Sequence, residues 1–220
     1  INYNYNIHRK NSDVFRLFVD RVFTSKGFGS VITGTVLSGK IQIGDKLKIL
    51  PQNKEIKVRG LQTHNESVQE LKIGDRGAIN IHSIDKISIE KGNHISEKGF
   101  FSTYKSAIVS IKILNKVEKA VKDNERLRIY CGTQEVMARI KLFNDKKLEP
   151  NEETGALLKF ENPLVLSIGD NFIIRKYSPL VTIGGGQILD FSIYKKWRDN
   201  KTYISNLYNA KDEHVRLALI

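Results

Sequence analysis

The sequence predicts an all-β molecule, two successive β-barrels followed by the start of a helical segment. Three observations predict it. Short β-branched runs bounded by Gly, Asp, Asn or Pro recur about every ten residues, the rhythm of a barrel or sandwich. Several runs alternate strictly between apolar and polar residues. After Asp190 the apolar period changes from that of a strand to that of a helix.

Residues 1–13, polar and Asn-rich, read as a linker. "VFRLFVDRVF" (14–23) reads as one strand, with Phe23 in the barrel core and an Asp20-Arg21 pair set in an otherwise apolar run. "GSVITGTVLSG" follows as its hairpin partner. Gly27 and Gly29 make the turn, and Gly34 permits a bend or a close backbone approach inside the strand. "DKLKIL" and "KEIKVRG" alternate, with Leu47, Ile49, Ile56 and Val58 inward, and "LPQNKE" turns between them. "DRGAINIHSI" ends the first series, and the junction falls in "KGNHISEKGF", giving barrels over 14–98 and 99–190.

In the second series "EVMARIKLF" puts Val136, Ala138, Ile140 and Leu142 on one face and Met137, Arg139 and Lys141 on the other. Cys131 falls in a strand and is expected to be buried and without redox chemistry, while His64 is expected on the surface. Gly184, Gly185 and Gly186 read as a backbone turn. Over 191–220, Tyr203, Ile204, Leu207 and Tyr208 have helical spacing.

Charge narrows the function. The chain of 220 residues carries 36 Lys or Arg against 24 Asp or Glu, a net charge of +12 divided evenly between its two halves. Such an excess favours a polyanionic partner, nucleic acid before membrane, because phosphate neutralisation releases counterions. A solvated basic surface is the plainer reading of the same charge. One cysteine excludes an intramolecular disulfide framework and suits a reducing compartment, and with five scattered His it gives no zinc spacing. No apolar run approaches the roughly 20 residues of a membrane-spanning helix. The chain has no initiator Met and stops in mid-pattern at "RLALI", as a piece of a longer protein would.

"GFGSVITGTVLSGK" is glycine-rich yet lacks the spacing of a phosphate loop, and its β-branched run is no helix for a dinucleotide fingerprint. No Asn-Lys-x-Asp motif is present to read guanine. Neither catalytic nor metal-ligating residues are found, so these residues read as a binding module and not an enzyme.

Val22-Phe23, Gly27-Phe28-Gly29-Ser30, Val31-Ile32-Thr33-Gly34 and Gly44-Asp45 resemble the barrel that follows the GTP-binding domain in elongation factor Tu and other translational GTPases. Asp20-Arg21, Thr33-Gly34-Thr35, Arg76 before "GAIN", "GTQEVMARI" at 132–140 and "TIGGG" at 182–186 are similar to the selenocysteine-specific elongation factor. The resemblance covers residues 14 to about 190 and implies two elongation factor Tu-like barrels. It assigns Asp20, Arg21 and Arg76 to the pocket for the selenocysteinyl end of the tRNA, where elongation factor Tu has two carboxylates and an Asn. It departs at Ser30, where Thr is usual, and at Gly77, where an apolar residue is common, so Gly77 is expected to loosen the wall that positions Arg76.

The resemblance also implies selenocysteinyl-tRNA, the ribosome and an mRNA hairpin as partners. The hairpin would be held by winged-helix domains that residues 191–220 begin, and no membrane is involved. GTP and Mg²⁺ would lie on a missing N-terminal domain that hydrolyses GTP, in a cytoplasmic monomer. Lys112, Lys116, Lys119 and Lys122 are candidate tRNA phosphate partners. Two alternatives remain open: a barrel pair of another translational GTPase carrying ordinary aminoacyl-tRNA, and a generic RNA-binding double barrel.

Overall fold

The computed structural model describes residues 14–25, 29–83, 89–143, 146–191 and 197–210. The chain forms two compact units, the first ending at Ser102 and the second beginning at Thr103. The expectations for residues 1–13, for Gly27 and for the chain beyond 210 lie outside the described residues.

The first unit contains β1 (Arg16–Phe18), β2 (Arg21–Ser25), β3 (Gly29–Ser38), β4 (Lys40–Gln42), β5 (Lys46–Leu50), β6 (Lys54–Thr63), β7 (Glu66–Val68), β8 (Glu70–Lys72), β9 (Arg76–Ser83) and β10 (His94–Ser96). Six of these close into a ring, β1-β10-β5-β6-β9-β3, because β1 pairs with both β10 and β3; β2 extends the sheet beside β3. The predicted alternation holds: Leu47, Ile49, Ile56 and Val58 are buried with Leu17, Ile32, Ile79 and Ile95.

The second unit contains β11 (Ser102–Ile113), β12 (Val121–Lys122), β13 (Arg126–Cys131), β14 (Gln134–Leu142), β15 (Lys147–Leu148), β16 (Glu153–Leu166), β17 (Asn171–Lys176), β18 (Thr182–Asp190) and α1 (Trp197–Asn209). Its closed barrel runs β11-β16-β14-β13-β17-β18. Val136, Ala138, Ile140 and Leu142 face inward with Ile111, Leu127, Ile129, Leu158 and Ile174, and Cys131 is buried among them.

One turn is used six times among the described residues. At 42–45, 72–75, 90–93, 122–125, 149–152 and 167–170, the last residue's N–H donates to the first residue's carbonyl and its side chain accepts from the first residue's N–H. The third residue has positive φ each time: Gly44, Gly74, Gly92, Asn124, Asn151 and Gly169. Such a turn requires a residue that tolerates the left-handed region there, and the Asp, Asn or Glu beside it supplies the acceptor. A ring strand starts directly after each one: β5, β9, β10, β13, β16 and β17. Arg76 therefore occupies the first strand position after the Asp75 turn.

Several expectations are corrected. The run 14–23 is two strands: the chain leaves β1 after Phe18 and crosses at Val19 and Asp20 before β2. Asp20 therefore sits at a break and not inside a strand. Gly184–Gly186 are no turn but lie within β18, pressed against neighbouring backbone: a Cβ on Gly186 would overlap Ser110 O, and one on Gly185 would lie 2.7 Å from Phe172 O. Gly77 loosens nothing. It is buried, and the space a side chain would take is filled by Leu71, whose Cδ2 would lie 2.9 Å from an added Cβ.

The helix α1 packs on the outside of the second barrel. Tyr203, Ile204 and Leu207 bury against Ile108, Phe143, Leu157 and Leu189, a cluster separate from the barrel interior. Tyr203 Oη donates to buried Asp190 Oδ2 at 2.8 Å. Gly155 lets the helix come close, since a Cβ there would lie 2.7 Å from Ile204 Cγ2.

Candidate functional site

Asp20 and Arg76, distant in sequence, meet in the fold. The Arg76 guanidinium donates through Nη2 to Asp20 Oδ2 as an ion pair. The Arg76 side chain is 59% exposed and that of Asp20 25% exposed, so the pair faces solvent and contributes at most about 1 kcal/mol to stability. Main-chain bonds hold both members. Asp20 N–H donates to Thr33 O at 2.8 Å, and Thr63 Oγ1 donates to Arg76 O at 3.0 Å.

Strand register places the third predicted residue. Arg21 is paired across from Thr33, and Arg76 across from Thr35, so Arg21 and Arg76 rise from neighbouring rows of one outer face. Along the Arg21 row come Thr33, Ala78 and Gln62; the next row is Phe23, Val31, Asn80 and Gly60. Phe23 was expected in the core. It is 52% exposed, because the outward parity of β2 puts Arg21 and Phe23 on the same side.

On this face Thr33 Oγ1 and Asn80 Oδ1 are buried and have no hydrogen-bond partner among the described residues. Buried polar atoms are ordinarily satisfied, by water or ligand where not by protein. Sequence reasoning missed Phe23, Thr33 and Asn80 as members of this face. The signal was available for Asn80 alone, in the polar end of an otherwise apolar "GAIN".

The second unit carries a different surface. Arg126, Arg128 and Tyr130 on β13 point outward beside Arg139 on β14 and Arg175 on β17. Like charges face each other across the strands: Arg126 opposite Arg139, Arg128 opposite Arg175, and Arg139 opposite Lys159. Such pairs destabilise a sheet. Arg126 binds Glu161 through two bonds of 2.7 Å, and Arg128 pairs with Glu135. Those bonds raise both arginine pKa values above the ordinary one and lower that of Glu161.

The Tyr177 ring lies 5.1 Å from the Arg126 guanidinium and 6.0 Å from that of Arg128, and Arg175 stands 5.8 Å from the Tyr130 ring. The Nε–H groups of Arg128 and Arg175 are buried without an acceptor among the described residues. Lys112, Lys116, Lys119 and Lys122, the predicted phosphate partners, are exposed; Lys119 and Lys122 line a hollow of about 410 Å³ with Lys176 and Glu125.

Comparison with known proteins bears on both units. Residues 29–96 match the family model for elongation factor Tu domain 2, and residues 108–195 match that for the selenocysteine-specific elongation factor β-barrel domain. A selenocysteine-specific elongation factor from Desulfomicrobium baculatum is 33% identical over 211 residues, 95% of this chain and 33% of that protein. The chain belongs to the selenocysteine-specific elongation factor family.

Further selenocysteine-specific elongation factors agree. That of Escherichia coli is 28% identical over 86% of this chain and 29% of its own length, and that of Methanocaldococcus jannaschii 28% identical over 96% and 51%. The crystal structure of translation elongation factor SelB from Methanococcus maripaludis, in its apo form, superposes with a TM-score of 0.72 at 27% identity, covering 87% of this chain and 46% of that one. The chain thus spans about a third of the length of its bacterial relatives and about half that of the archaeal one. Arg76 and Asn80 lie within the matched domain 2 region, and the arginine–tyrosine surface lies within the matched SelB barrel. No group of residues able to hold a metal ion occurs among the described residues, and no helix of the structure is long and apolar enough to cross a membrane.

Proposed function

We propose that this chain is the aminoacyl-tRNA-binding part of a selenocysteine-specific elongation factor, delivering selenocysteinyl-tRNA to the ribosome at recoded UGA codons. The observation that carries the reading is the Asp20–Arg76 ion pair with Arg21 one row away. A selenol is far more acidic than a thiol, whose pKa is about 8.5, so selenocysteine is an anion near neutral pH while a serine hydroxyl stays neutral. Two permanently charged guanidiniums donate charge-assisted hydrogen bonds to that anion, roughly twice as strong as bonds to a neutral group. Serine leaves them unanswered, and specificity arises from that difference. The weakness of the exposed Asp20–Arg76 pair suits this role: Asp20 aims the guanidinium without competing strongly for it.

The same face offers the exposed Phe23 ring and the unsatisfied Thr33 and Asn80 atoms to the end of the tRNA. The arginine–tyrosine surface of the second barrel suits the tRNA backbone, since A-form RNA is held mainly through phosphates and 2′-hydroxyls. Chemistry is not assigned to these residues: GTP and Mg²⁺ belong to a separate GTP-binding domain of the whole factor, and an mRNA hairpin to domains following α1. The factor works as a cytoplasmic monomer.

Protection of the aminoacyl ester from hydrolysis tests the reading. With the full-length protein and GTP, selenocysteinyl-tRNA is protected selectively over seryl- and cysteinyl-tRNA, and Arg21→Gln with Arg76→Gln abolishes the selectivity. Equal protection of all three esters by the unaltered protein would leave a general tRNA carrier in its place.

A further inference from the structure

Gly34 on β3 and Gly77 on β9 are paired directly across the strands and both face the barrel interior. Glycine weakens a strand unless something must come close. Here something does at both positions. A Cβ on Gly34 would overlap the Phe18 carbonyl oxygen and lie 2.7 Å from Leu17 Cδ2. A Cβ on Gly77 would meet both δ-carbons of Leu71 and lie 3.2 Å from Gln62 O. The two hollows receive different segments, the β1 exit and the β8 side chain, each one residue from a backbone group that holds the Asp20–Arg76 pair: Thr33, whose carbonyl accepts from Asp20 N–H, and Arg76 itself.

We propose that Gly34 and Gly77 are positioning residues that set the Asp20–Arg76 pair and with it the selectivity of the pocket; the functional half of this statement rests on the reading above. The hollow at Gly34 draws Phe18 against β3, so that the next residues cross at Val19 and Asp20. Val19 N–H then donates to Asn93 O at 2.8 Å and Asp20 N–H to Thr33 O at 2.8 Å, which fixes the Asp20 backbone. The hollow at Gly77 lets fully buried Leu71 sit under the start of β9. Arg76 is clamped between that contact, the Thr63 bond to its carbonyl and the Asp75 turn, where Lys72 N–H donates to Asp75 Oδ2 at 2.9 Å. Asp75 O in turn accepts from Val36 N–H, two residues beyond Gly34. Both halves of the ion pair are thus referred to one thinned point in the barrel wall.

Gly34→Ala collides with backbone and is expected not to fold, so Gly77 carries the test. Gly77→Val forces the start of β9 and the δ-carbons of Leu71 apart and so displaces Arg76; the double variant Gly77→Val with Leu71→Ala returns the volume and restores the position. In the full-length protein with GTP, Gly77→Val lowers the preference for selenocysteinyl- over seryl-tRNA by about tenfold, the loss of one hydrogen bond to a charged group, and the double variant regains it. In parallel, the chemical shift of the Arg76 side-chain N–H resonance, which reports the Asp20 contact, moves in Gly77→Val and returns in the double variant. A folded Gly77→Val protein with unchanged Arg76 resonances overturns the proposal, and so does lost selectivity that the double variant fails to recover. If the unaltered protein shows no selectivity, the functional reading fails, and the resonances still decide whether the glycines position the pair.

Discussion

His94 is fully buried in the first barrel. Its ring is buried between Phe18, with centroids 4.7 Å apart, and Phe101, at 5.0 Å. Its Nε2 accepts from Arg16 Nε at 3.0 Å, which requires a neutral imidazole with the proton on Nδ1. Burial first, and the Arg16 cation second, hold its pKa well below the ordinary value of about 6.5. A depressed folded pKa means that the unfolded chain takes up the proton first. The stabilisation is therefore present above about pH 6.5 and is lost as pH falls. The amides of Leu17 and Ile95, partners across β1 and β10, are expected to lose protection between pH 7 and pH 5 once their exchange rates are divided by the intrinsic rate, which itself falls with pH. His94→Gln, whose carboxamide oxygen still accepts from Arg16, should flatten that dependence; an unchanged slope would mean that another group titrates.

At the scale of elements, the corrections show what strand periodicity can and cannot give. Alternation located β5, β6 and β14 and their inward residues, because each is a strand with one face on a core. It misplaced Phe23, since a break at Val19 and Asp20 resets the parity of β2 relative to β1 and no local residue marks the break. The repeated Gly-Asp turns were visible at 44–45 and 74–75, whereas the copies using Asn124 and Asn151 were hidden by their different side chains. Asp20, Arg21 and Arg76 were legible only through a family resemblance; their meeting depends on strand register, which composition does not carry.

Gly184–Gly186 misled for the opposite reason, a strand so crowded that it reads like a loop. Gly186→Ala must move Ser110 O and is expected to cost about 1–3 kcal/mol in urea-induced unfolding of the second unit. Tyr203→Phe removes a buried donor from Asp190 and should cost about 1–3 kcal/mol, seen as faster exchange through α1 while the barrel strands stay protected. If exchange in α1 is unaffected, packing alone holds the helix.

For the whole molecule, the question is where a charge of +12 does its work. In the second barrel α1 covers the outer side of β18, β11 and β16, which in ring order stand opposite β14, β13 and β17. The uncovered side is the one that gathers Arg126, Arg128, Arg139 and Arg175, at the cost of like-charge pairs across three strand positions. A sheet that accepts local repulsion at an exposed face is arranged for a ligand of opposite charge. The lysines singled out from the sequence are simply exposed, and long solvated side chains need no such reason.

The two groups predict different salt behaviour. Each phosphate neutralised steepens the fall of log K with log salt by somewhat under one. With the full-length protein and GTP, replacing Arg128 and Arg175 by Ala should weaken tRNA binding at low salt and reduce that slope by about 1 to 2. Replacing Lys116 and Lys119 should leave the slope nearly as it was. The reverse outcome would move the RNA contact to the lysine-bearing loop and leave the stacked arginines as an internal network of the sheet.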